Sequence, residues 1–343
     1  MASREQGRLL SLETSVRCRV PTLIGVFYAS IVMLGLLSSS VESLSTFDSG
    51  RVVPVLVLIP AMVISLALMK LNQQLASPVI AIVNRWLRWG IFSGGLAQVS
   101  QHFGWSDRSY FVLFAVFFIG WFLLESIYHW LVIHAMSVSS LPLFPRFTVN
   151  RAGEEWPVQA RFLKLRDQIR AAGFRQVQSL RAEGATSIYL RVSLFQNADN
   201  TTRLQVTFVP QPMGTVTVCL HLSTATALGA RLVTDNHYLP FAGFYPENWH
   251  LDRRPCLRSF TALLKHHQSR VSVRSVAAAP WTSEPLDDIN AQQGELERIN
   301  TELGFLLPGS NHEEHGRISH EGRYRVWKEM FTLNYFGRAA RYE

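Results

Sequence analysis

This chain is short of lysine and of cysteine, and for more than a hundred residues near its start it is short of charge of either sign. Of its 33 basic side chains only Lys70, Lys164, Lys265 and Lys328 are lysines. The arginine excess fits a GC-rich, bacterial coding bias and is not by itself a binding surface. Its three cysteines, Cys18, Cys219 and Cys256, form no C-x-x-C pair and no metal-ligand spacing. Free thiols are therefore expected, with a Cys219–Cys256 disulfide only if the tail were exported. Also missing are GxxxxGK[ST], GxGxxG, GxSxG and HExxH, so none of the familiar nucleotide, hydrolase or zinc-protease signatures is present. No cofactor is expected. The net charge of +8 is spread along the chain and gives no case for a nucleic-acid partner.

Between residues 20 and 136 only nine side chains are charged: Glu42, Asp48, Arg51, Lys70, Arg85, Arg88, Asp107, Arg108 and Glu125. Residues 110–124 carry no charge at all, and a run of roughly 20 apolar residues covers a bilayer core of ~30 Å. The expected class is a membrane α-helical bundle of three or four transmembrane helices within 21–136. Its spans lie at about 22–40, 52–69 and 110–134, with an uncertain one at 89–105 that Arg85 and Arg88 interrupt upstream. Gly90-x-x-x-Gly94 within that stretch has the small-residue spacing that lets helices approach closely. Four spans would put the basic arm 1–20, the 70–88 loop and Arg146 and Arg151 on one side, leaving Arg51 and Arg108 on the other. That asymmetry is the one expected of a cytoplasmic side. The expectation is a multi-pass protein of the bacterial inner membrane with a cytoplasmic C-terminal domain; three spans would export the tail.

Residues 137–343 hold 24 basic and 19 acidic side chains, an ordinary soluble load. Pro142 and Pro145 open a linker at 137–153. The stretch 154–172 spaces Val158, Phe162, Leu165 and Ile169 helically. Alternating runs then follow at 173–180, 187–195, 203–209, 215–223 and 230–236, separated by turn residues. This predicts a soluble α+β domain over 154–272 with a mainly antiparallel sheet. An aromatic, proline-rich loop at 239–250 precedes a helix at 258–267. Residues 273–343 read as a helical extension: one helix at 286–303, capped by Asp287 and Asp288, and an amphipathic one at 321–342. The latter joins Tyr324, Trp327, Phe331 and Tyr335 with basic residues, and either packs on the domain or lies on the inner leaflet.

Three constellations carry candidate chemistry. Glu125 and His129 stand one helical turn apart in the last span, an intramembrane polar pair or an interfacial exit beside Tyr128, Trp130 and His134. Asp235 and His237 end a strand, with His250 and Asp252 across the next loop; Asp with His suits acid–base work, and Asp-Asn is also plain turn chemistry. His312, His315 and His320, with Glu313 and Glu314, are weak metal ligands in a glycine-bounded loop, so no metal is assigned. His266-His267 reads as the solvated last turn of a helix.

A helix leading into GFRQV, then LHLSTATALGARLVTDN and LLKHHQSRV, gives residues 160–272 an order that resembles a domain of uncharacterised bacterial membrane-anchored proteins. The resemblance implies a bacterial origin and a membrane-tethered domain, and supplies no mechanism. The expected function is a membrane-tethered binding, scaffold or signal-coupling protein, with the lipid bilayer and a protein partner of the soluble domain as its associates. The alternative is a membrane enzyme or transport component using Glu125/His129 or the Asp235–His237 loop.

Overall fold

The computed structural model describes residues 49–139, 142–151, 156–182, 190–210, 216–274, 277–309, 312 and 316–340. The basic arm and the span expected at 22–40 lie outside these residues. The chain divides into two units: Met1–Gln73 with Val83–Glu125, and Gln74–Ile82 with Ser126–Glu343.

The first unit is helical, drawn from α1 (Ser49–Leu75), α2 (Pro78–His102) and α3 (Tyr110–Val138). Among the described residues two helices, Leu56–Leu75 and Tyr110–Val138, are long and apolar enough to cross a membrane. The bundle of three or four spans is therefore not shown. The sequence suggests a loop over 70–88, but α1 runs to Leu75 and α2 starts at Pro78. Proline suits the first helical position, where its missing N–H costs nothing. Arg85 and Arg88 do not break α2; they ride in it. Its polarity is turned inward, since Asn84, Ser93, Gln98 and Ser100 are buried. Ser65 donates to Asn84 Oδ1 at 2.7 Å, and Trp89 Nε1 donates to the Phe118 carbonyl at 2.9 Å. Gly94 is the close approach: a Cβ there would stand 3.0 Å from the Tyr110 hydroxyl and 3.1 Å from Leu58.

The second unit is built on one seven-stranded sheet in sequential order: β1 (Phe147–Val149), β2 (Arg175–Ala182), β3 (Arg191–Gln196), β4 (Thr202–Pro210), β5 (Val216–Ala225), β6 (Arg231–Asp235) and β7 (Trp249–Arg253). The first six strands pair antiparallel and β7 pairs parallel to β6, so the sheet is mixed. The parallel return needs a crossover, which the aromatic stretch after β6 supplies. β1 lies in the stretch expected as linker; Asn290 holds it there, accepting from the Phe147 N–H at 2.8 Å and donating to the Phe147 carbonyl at 2.9 Å.

Alternation along the strands sends side chains to two faces. On one, Phe195, Leu204, Val206, Leu220 and Leu222 pack under α4 (Ala160–Ala171) and α5 (Phe260–Val273), through Phe162, Ile169, Phe260 and Leu263. On the other, Leu180, Val192 and Leu194 meet Ile289 of α6 (Pro285–Glu302). A third core joins Ile133, Phe144, Ala242, Leu296, Phe305, Ile318 and Val326, the last from α7 (His320–Phe336). The residues expected as an extension thus supply parts of two cores. The amphipathic helix packs on the domain, with Val326, Leu333 and Tyr335 buried.

His267 is not solvated. The helix continues past it to Val273, and its ring is buried between Thr224 (Nε2, 2.9 Å) and Thr234 (Nδ1, 2.9 Å). Arg270 donates to Thr234 Oγ1 at 2.7 Å. A guanidinium only donates, so the Thr234 hydroxyl proton is free for Nδ1, and Nε2 carries the ring proton. Burial, reinforced by Arg270 and His266, lowers the His267 pKa from 6.5 to about 4. Between those values the unfolded chain takes up a proton that the folded chain refuses, so stability is full above pH 6.5 and declines as pH falls towards 4. The slope is at most about 1.4 kcal/mol per pH unit per histidine. Thermal melts of the detergent-solubilised protein between pH 7 and 4 should show this decline, and His267→Gln should flatten it. Equal slopes would contradict the assignment.

Candidate functional site

Strand register assembles a polar cluster on the face away from α4 and α5. Asp235 of β6 stands opposite His221 of β5 and opposite Arg253 of β7, and residues paired across neighbouring strands share a face. His237 follows β6, Tyr245 comes from the crossover and Glu329 from α7.

Arg253 is the hub. Its Nε donates to Asp235 Oδ1 at 3.2 Å, its Nη1 to Glu329 Oε1 at 3.3 Å and its Nη2 to the Tyr245 hydroxyl at 2.8 Å. The three charged side chains are 5%, 2% and 2% exposed for Arg253, Asp235 and Glu329. The Ala340 N–H donates to the other Glu329 oxygen at 3.0 Å. Burial alone would raise the Asp235 pKa, but Arg253, His237 and His221 outweigh it and hold the carboxyl below its ordinary value. Burial raises Glu329 despite Arg253. Burial works against the Arg253 charge, yet Tyr245, Asp235 and Glu329 raise its pKa above the usual value.

His237 donates its backbone N–H to Asp235 Oδ1 at 3.1 Å, while its Nδ1 is 3.9 Å from Oδ2, beyond a hydrogen bond. The ring lies 6.0 Å from that of His221. Desolvation lowers both imidazoles, His221 to about 3, so both are neutral at pH 7. Each has a solvent-excluded Nε2 without a partner. About a quarter of the His237 side chain remains exposed. His221 also lines a small pocket with Arg203, Gln205, Ser223, Asp288 and Gln292, with room for about one water.

That pocket borders a second ionic group. Asp288, expected as a helix cap, instead accepts from Arg203 and Arg231, each at 2.8 Å. Trp281 lies 4.5 and 4.7 Å from the two guanidiniums, a cation–π stack. The first residue of α6 is Pro285, and Glu284 gives no side-chain cap.

The other expected residues stand elsewhere. His250, three residues from Arg253, belongs to the opposite face; Asp252 of that face pairs with His266 of α5 at 2.7 Å. Glu125 accepts from Arg85 at 3.1 Å and from Trp121 Nε1 at 3.1 Å. His129 is buried. His312 meets the Leu307 carbonyl at 2.6 Å, the His320 ring lies tilted 5.8 Å from that of Trp130, and His315 lies outside the described residues. Among the described residues no three His, Cys, Asp or Glu side chains are placed to hold a metal ion. Sequence reasoning finds Asp235 and His237 but not His221, Arg253, Tyr245 or Glu329. His221 shares the inward alternation of β5 with Cys219, a legible signal; nothing local marks Glu329.

The chain matches no protein family, no curated protein and no solved structure.

Asp235 is thus held by Arg253 and a backbone N–H rather than aimed at an imidazole. The arrangement is an ion-pair network tying β6, β7, the crossover and α7. Removing its cation would leave two buried carboxyls unpaired, which costs about 3–5 kcal/mol. Arg253→Met should lower the denaturant-unfolding stability of the solubilised protein by that amount; a loss under about 1 kcal/mol would mean the network is dispensable.

Proposed function

We propose that this chain is a multi-pass bacterial inner-membrane protein whose cytoplasmic α+β domain binds a protein partner and couples that event to its membrane helices, without chemistry of its own. One observation carries the reading: the end of α3 is part of the soluble unit's own core. A bilayer core takes about 20 residues, and α3 runs for 29. Large apolar side chains are exposed along it up to Leu131 and again only at its last residue, Val138. Between those two, Ile133 and Ser137 are fully buried. The Ile318 N–H donates to Ser137 Oγ at 2.9 Å, and the Arg317 N–H to the Ser137 carbonyl at 2.9 Å. Gly316, at φ +79°, leaves no room for a Cβ, which would stand 2.6 Å from Ser137 Oγ. A helix seated this way cannot slide or turn without moving the α7 core, the arrangement a signal-coupling protein needs.

The neutral, partly exposed His237 with its free Nε2 favours one rival, acid–base chemistry at the same cluster. His237→Gln tests it: the coupling reading expects cellular function to persist. Loss of function with unchanged melting would establish the catalytic one.

Topology is read through the exposed thiol of Cys256, since Cys219 is buried. In a Cys18→Ser background the protein should resist carbonate extraction. A membrane-impermeant maleimide should label it in inverted vesicles and not in spheroplasts. Labelling in spheroplasts would place the domain outside.

A further inference from the structure

Arg258 is a half-buried cation without a counter-charge. Its Nη1 is solvent-excluded and has no hydrogen-bond partner. The charged or ionisable neighbours that act on it are Arg161 and the thiols of Cys219 and Cys256; no carboxylate is among them. Desolvation and the like charge of Arg161 both work against its protonated form. A solvent-excluded guanidinium N–H left without an acceptor is costly, and an anion would complete the site.

The backbone around the pair has the same sign. Arg161 is the second residue of α4 and Arg258 lies two residues before α5, and neither helix has an acidic residue in its first turn. Gln159 gives α4 no side-chain cap; Ser259 caps only the Ala262 N–H of α5. Two helix starts therefore add their free N–H groups and positive dipole ends to two arginines. Arg161 is oriented by three bonds: Nε to Gln159 Oε1 at 3.1 Å, Nη1 to the Gln74 carbonyl at 2.9 Å and Nη2 to the Val216 carbonyl at 2.9 Å. Of its five N–H groups, two remain for a ligand.

We propose that Arg161 and Arg258 form a binding site for a phosphate group, placed where the phosphodiester of an anionic phospholipid presents one. Location decides the source. Gln74 belongs to the last turn of Leu56–Leu75, an apolar helix long enough to cross a bilayer. Its end marks the headgroup level, where anionic lipids concentrate. The lipid assignment rests on the membrane reading above; the phosphate chemistry does not.

The full chain in neutral detergent is melted with added short-chain phosphatidylglycerol, phosphatidylcholine or inorganic phosphate. Phosphatidylglycerol should raise the melting temperature more than phosphatidylcholine. Arg258→Gln should weaken that response about tenfold or more, the worth of a charge-assisted contact. The unliganded variant should melt no lower than the native protein, since it loses an unpaired charge; a merely structural arginine would give the opposite. Arg258→Met, which keeps the apolar stem, carries the same expectation should the glutamine variant fail to fold. An Arg258-dependent response to inorganic phosphate alone, with nothing added by the lipid, keeps the site and makes its ligand a soluble phosphate. Equal effects of the two lipids with none from phosphate, or an undiminished response in both variants, overturn the proposal. Carbonate extraction is independent of all these outcomes and judges membrane residence separately.

Discussion

The guanidinium of Arg253 is the contact on which the second half of the molecule depends. Buried on the sheet face away from α4 and α5, it spends its donors on Asp235, Glu329 and Tyr245. A charge in that position is stable only with every partner in place. The four residues come from β7, β6, α7 and the crossover, so one ion-pair group ties together elements that a hydrophobic cluster also packs. The parallel return of β7 and the packing of α7 bring its partners within reach.

The sheet has two unlike faces. Under α4 and α5 it is a close apolar core with one neutral histidine hydrogen-bonded between two threonines. The other face carries two ionic groups: Arg253 with its carboxylates, and Asp288 shared by Arg203 and Arg231. Polar positions on a covered face need specific partners, and each arginine here finds them on a different element. The exception is on the first side, at the helix starts, where Arg258 has none.

The strands were legible because β2 through β6 alternate apolar and polar residues between turn signals, a period of two that survives any tertiary context. β7 was not, because Trp249–Arg253 is short and follows an aromatic, proline-rich stretch. α2 reads as interrupted for a related reason. Arginines in an apolar run look like an interruption until a partner such as Glu125 is known, and that partner lies 40 residues on. His267 looked solvated because a helix end cannot be placed from charge pattern alone. Asp288 looked like a cap because capping is local, whereas its partners are 57 and 85 residues away.

By itself the sequence determined the apolar helix beginning at Tyr110, the strand-rich core and the absence of common cofactor motifs, since composition and periodicity act over a few neighbouring residues. Tertiary structure alone decided that the sheet is mixed, that the last helix packs inward and that Asp235 serves an arginine rather than a histidine. It also left Arg258 without a partner. These are matters of register and long-range pairing, and the energy of a buried charge depends on groups that no local window contains.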